Sequence, residues 1–96
     1  TVLPPKGSCA AIPVSDERMA YSRAAAKRLA ALTARVARDE GAQVLRFSRL
    51  SKTHAPCSAQ PWSNGLSAPG GDGIPVHPNQ AGHRAAADAL VSFLKR

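Results

Sequence analysis

Three histidines, six acidic side chains and two cysteines give this 96-residue chain its bases, acids and thiols. His77 has the most informative surroundings, in the run His77-Pro78-Asn79-Gln80-Ala81-Gly82-His83 ahead of an alanine-rich, helix-like segment. Proline pushes the residue before it toward extended geometry, so His77 should project from a loop. Pro78 and Asn79 set where the helix begins, and a fixed helix start fixes the imidazole, as a general base requires. The same pattern also fits an exposed histidine on a helix-capping loop. Asp72, a little upstream, could orient His77 by accepting its Nδ1 proton, as the acid of a catalytic triad does. Flanked by Gly71 and Gly73, it also fits a turn aspartate. A backbone carbonyl near Ile74 or Pro75 could hold the same proton instead.

Other constellations are weaker. His54 and Cys57 have an H-x-x-C spacing that could join His77 or His83 around zinc, but no second close pair exists, so no metal is expected. Gly70-Gly71-Asp72-Gly73 lacks the downstream Lys-Ser/Thr of a phosphate loop. His83 falls in the opening turns of the final helix and reads as a surface residue. Trp62 reads as a lid over the core or over a cleft.

Cys9 and Cys57 fit an oxidised pair better than a reactive thiol, because an even count in a small, loop-rich chain points to an exported protein. Closing a loop of that span stabilises a chain by roughly 4 kcal/mol in the entropic account. Much of the apolar content is alanine, and the aromatics are one Trp, one Tyr and two Phe. Such a core is thin, which implies dependence on the disulfide or on packing against something further. No apolar run approaches the ~20 residues of a membrane span, and no signal peptide is visible. The net charge of +7 raises a nucleic-acid or anionic-lipid reading. The cations are spread along the chain without a dense block, and platforms for stacking bases are nearly absent, so no nucleic-acid partner is expected.

The elements that must position His77 can be read from caps and periodicity. Thr1-Val2-Leu3-Pro4-Pro5 reads as the tail of a strand entering a loop, since two prolines cannot sit in a central ladder. Ser15 is an N-cap, with Asp16 and Glu17 in the first turn, and a helix is expected to about Glu40 with Gly41 at C′. Ser22, Ala25, Leu29, Leu32 and Val36 share one stripe, with Arg23, Lys27, Arg35 and Arg38 on a solvated back. Gln43-Val44-Leu45-Arg46-Phe47 reads as the next strand, which makes a βαβ pattern and a parallel sheet. Ser48 to Gly73 is a long irregular segment, anchored by Cys57 and Trp62. Asn79 caps a last helix whose apolar stripe is Ala86, Leu90, Phe93 and Leu94.

The ordered block Asp72-Gly73-Ile74-Pro75-Val76-His77-Pro78-Asn79-Gln80-Ala81-Gly82-His83 resembles the C-terminal block of the SGNH (GDSL-type) hydrolases. Cys9, the long helix, His54-x-x-Cys57 and Pro61-Trp62-x-x-Gly65 extend the likeness, which is to secreted actinobacterial-style lipases and esterases. The resemblance implies that residues 1–96 are the C-terminal segment of one flavodoxin-like three-layer α/β/α domain, incomplete by itself. It implies that Cys9 and Cys57 are disulfide partners, that His77 is the catalytic base, and that the protein is secreted. The family often places its acid three residues before the histidine, where this chain has Ile74, so Asp72 or a main-chain carbonyl must serve. The Gly-Asp-Ser nucleophile block and the oxyanion donors are not in this sequence, so they are expected on a second polypeptide. The substrate implied is an ester or lipid, with no cofactor. Outside this class stand a small basic module binding nucleic acid or anionic lipid, and an exported remnant without catalysis.

Overall fold

The computed structural model describes residues 3–96; Thr1 and Val2 of the expected strand tail lie outside the described residues. The dominant element is helix α1, Asp16–Asp39. Its Ser15 side chain accepts the Arg18 N–H at 3.2 Å, satisfying one of the donors a helix start leaves free. Its far end closes on Gly41, at φ 71°. The Gly41 N–H donates to Arg38 O at 3.1 Å and the Ala42 N–H to Ala37 O at 2.7 Å. This pair of bonds defines a Schellman cap, and the left-handed Gly41 makes it possible. The Arg23 guanidinium ties the preceding loop to α1, donating to the carbonyls of Pro4 at 3.2 Å and Gly7 at 2.7 Å.

The expected strand over Gln43–Phe47 does not form. Residues 42–46 have no regular secondary structure, and Phe47 opens a one-turn helix, α2, Phe47–Leu50. A strand exists only against a ladder partner, and among the described residues none lies beside it. The N–H groups of Gln43, Val44 and Leu45 find no acceptor there either. Among the described residues there is no β-strand, only two isolated antiparallel bridges, Cys9 with Ile12 and Ser63 with Pro78. The parallel sheet expected of a βαβ pattern is therefore not present in these residues.

The segment from Ser48 to Gly73 is also less irregular than expected. It begins within α2 and continues into 3₁₀ turns at Ser51–Thr53 and Pro69–Gly71. The last helix, α3, spans Gln80–Leu94 and is capped by the Asn79 side chain, which accepts the Gly82 N–H at 2.9 Å.

Burial is concentrated where loops meet rather than along the helices. Ile12, Met19 and Ala55 are the buried apolar residues, and Ser51, Ser63, Asn64 and Asn79 are buried beside them. On α1 the enclosed side chain is Met19, whereas Leu29, Leu32 and Val36 of the expected core stripe remain exposed, as do Leu90 and Leu94 of α3. On the basic back of α1, Lys27, Arg35 and Arg38 are exposed as expected, and Arg23 is half-buried. Arg23, Lys27, Arg35 and Arg38 border a groove of about 990 Å³ whose apolar lining includes Leu29, Val44, Leu45 and Phe47. Two helices with uncovered apolar faces lack the layer against which such faces normally pack. Cohesion comes instead from the Cys9–Cys57 disulfide, with Cα atoms 6.1 Å apart and 48 residues of separation. By enclosing α1 in its loop, it restricts the unfolded chain by roughly 4 kcal/mol in the entropic account.

Candidate active site

His77 is held by a short antiparallel pairing of two loops. The Val76 N–H donates to Gly65 O at 2.7 Å, the Asn64 N–H to His77 O at 2.9 Å, and the Asn79 N–H to Trp62 O at 3.1 Å. The Ser63–Pro78 bridge lies between these bonds in the same register. The first loop is fastened in turn to the disulfide region, since the Leu66 N–H donates to Ala11 O at 2.8 Å and the Ala11 N–H meets the Cys57 sulfur at 3.4 Å.

Within the second loop the chain reverses at Ile74–His77, closed by a 3.4 Å bond from the His77 N–H to Ile74 O. Pro75 occupies the position that prefers proline, and Val76 the next, at φ 62°. That is the pattern of a type II turn, whose third residue is normally glycine. A β-branched residue at positive φ is strained, by about 1–3 kcal/mol. The bonds from the Val76 N–H to Gly65 O and from the Asn64 N–H to His77 O over-determine the turn and hold Val76 there.

The strained turn folds the Pro75 carbonyl back beneath the imidazole, and His77 Nδ1 lies 2.9 Å from Pro75 O. A carbonyl oxygen only accepts, so Nδ1 carries the proton and Nε2 keeps the lone pair. Nε2 has no partner among the described residues, and the side chain is exposed. The arrangement presents a basic nitrogen outward from a fixed ring.

Asp72 is engaged elsewhere. Its Oδ1 accepts the Gln80 N–H at 2.9 Å, at the N-terminus of α3, where a carboxylate is stabilised by the helix dipole. Of the two acceptors considered for Nδ1, the Pro75 carbonyl is the one within hydrogen-bond distance, while Asp72 braces the helix that follows His77. The other residues considered for chemistry are also occupied. The His54 ring stacks on Trp62 with centroids 3.8 Å apart and planes within 1°, while its Nδ1 donates to Gln60 O at 2.7 Å. Phe47 covers the stack at 5.8 Å from Trp62. Cys57 is in the disulfide, so the H-x-x-C pair is bound up in other contacts. His83 lies exposed in the second turn of α3, away from this network.

Two features were invisible in the residue pattern, the roles of Asn64 and Gly82, and a third, the acceptor at His77, was narrowed only to a carbonyl near Ile74 or Pro75. Asn64 is buried, and its side-chain amide donates to Asp72 O at 2.7 Å and Ile74 O at 3.2 Å; nothing in the sequence singled it out. Pro75 contributes through its carbonyl, which carries no side-chain signal. Gly82 presses so tightly on the Trp62 backbone that an added Cβ would collide with the Trp62 carbonyl.

His77 is thus a loop-held histidine with its Nδ1 against a backbone carbonyl and its side chain exposed. The model of the GDSL-like lipase/acylhydrolase family matches residues 2–85, and the chain belongs to that family. Membership makes it a hydrolase of the lipase and esterase kind and implies the SGNH fold. No curated protein and no solved structure matches it.

Proposed function

We propose that residues 1–96 are the C-terminal, histidine-bearing part of a secreted serine ester hydrolase, with His77 as general base. The observation carrying this reading is the Nδ1 bond from His77 to Pro75 O, which leaves Nε2 basic and outward. Family membership supports the reaction class, and the disulfide is in keeping with export. No serine of this sequence follows Gly-Asp, so the nucleophile and the oxyanion donors lie on a segment or polypeptide beyond these residues. The groove beside α1, with N–H groups along 43–45 that find no acceptor among the described residues, supports packing against further structure.

In this reading Nε2 removes the serine proton as the hydroxyl attacks an ester carbonyl. The resulting imidazolium, steadied by the Pro75 carbonyl, then protonates the departing alcohol. Water repeats the cycle on the acyl-enzyme, again deprotonated by Nε2. The loop from Ser48 to Gly73 walls one side of the cleft.

A fluorophosphonate probe tests the assignment on the native protein. The label is expected on a serine in a Gly-Asp-Ser context outside these residues, resolved by a denaturing gel and mass analysis. Native protein that hydrolyses no short-chain chromogenic ester and takes no label would sink it. Asp72 gives a second test. Asp72→Ala is expected to lower stability by about 1 kcal/mol through loss of a helix-start acceptor, and to leave turnover within about threefold. A loss near 10⁴-fold, the size seen when a triad acid is disabled, would make Asp72 the orienting acid after all.

A further inference from the structure

The turn that aims His77 is strained and exposed, so some buried group must hold it. The Asn64 side chain reaches to its backbone. Both hydrogens of its Nδ2 are spent on backbone carbonyls on either side of Gly73: Asp72 O at 2.7 Å and Ile74 O at 3.2 Å. Its own N–H holds His77 O at 2.9 Å. One buried residue thus grips the loop before the turn with its side chain and after the turn with its backbone. Gly73, at φ 80°, makes the approach possible, because an added Cβ there would lie 3.3 Å from Asn64 Nδ2 and 3.2 Å from Pro78 O.

We infer that Asn64 is a positioning residue for His77: its side-chain amide holds the Asp72–Ile74 strap in place, so that the Pro75 carbonyl stays under Nδ1 and His77 stays in the Nδ1–H tautomer. It acts through the loop and touches no reacting atom. The kinetic half of the inference rests on the proposed role of His77; the tautomer half does not. Aspartate at this position keeps the shape of asparagine but aims a carboxylate oxygen at two carbonyl oxygens. Alanine removes both donors, leaving Asp72 O without its bond and Ile74 O with only the 3.4 Å bond from the His77 N–H.

The test is made on Asn64→Asp and Asn64→Ala in the native protein together with whatever polypeptide accompanies it. Long-range proton–nitrogen spectra read the tautomer of His77, and amide exchange at Gly82 reads whether α3 keeps its cap. In the unaltered protein His77 is expected as Nδ1–H. In both variants it should become a mixture of tautomers while Gly82 stays protected. In parallel, kcat for a chromogenic ester should fall about a hundredfold with KM within about twofold, the size expected when a catalytic group is misplaced by an ångström. An unchanged His77 tautomer in both variants overturns the inference. So does loss of Gly82 protection in both, because Asn64 would then be a general fold residue. If His77→Ala retains full turnover, the catalytic reading falls on that result, and the tautomer measurement still decides the case of Asn64.

Discussion

Replacing His77 with alanine is expected to reduce ester turnover by ~10⁴- to 10⁶-fold, the range found when the base of a serine triad is removed. The loss should lie in kcat, since the imidazole acts on the proton in flight rather than on substrate binding. Because His77 is exposed and its carbonyl and N–H are backbone groups that alanine retains, the substitution should not disturb the fold. Thermal unfolding within about 1 kcal/mol of the native protein is the accompanying control, the cost of one modest hydrogen bond. Turnover that survives the substitution would remove His77 from the mechanism and leave it as a loop residue.

The second large effect is structural. Gly82→Ala is expected to destabilise the protein by about 3 kcal/mol or more, although alanine is intrinsically the better helix former by about 1 kcal/mol. The opposing term is steric. The new methyl would enter the space of the Trp62 carbonyl, a backbone atom that cannot swing aside. That same carbonyl accepts the Asn79 N–H, and Asn79 caps α3 at the Gly82 N–H. Pushing α3 away from Trp62 therefore loosens the cap and the His77 loop together. Overpacking of this kind ordinarily costs about 1–3 kcal/mol when side chains can yield, and here the obstacle is main chain. A chemical-denaturation midpoint equal to or above that of the native protein would show that the contact is softer than the geometry implies.

The helix ends were legible in the residues because capping is local chemistry. Ser15, Gly41 and Asn79 each act within a few positions of themselves, and each does what its type favours. Gln43–Phe47 was misread because β-propensity describes a surface awaiting neighbours, and among the described residues those neighbours are missing. The stripe of Leu29, Leu32 and Val36 is real periodicity without a core beneath it. At the candidate site, the loop placement of His77 ahead of a helix was legible from the proline after it and from the ordered block around it. A carbonyl near Ile74 or Pro75 was one of two candidates to hold its Nδ1, but nothing in the residues chose it over Asp72. The turn depends on Val76 adopting a backbone shape its side chain disfavours, and the acceptor is a carbonyl that every residue type shares. Propensity argues against the first, and composition says nothing of the second. Asn64 eluded the sequence for the same reason: its bonds run 8 and 10 residues along the chain to main-chain oxygens.

Trp62 is the only tryptophan, and its backbone and ring belong to two different parts of the site. Its carbonyl receives Asn79 from the loop that carries His77, while its indole lies flat against the His54 imidazole. The protein therefore contains its own fluorophore at the seam between those loops. Emission from that single indole provides a label-free optical signal for undocking of the seam, whether caused by a variant, by reduction of the disulfide or by an arriving polypeptide.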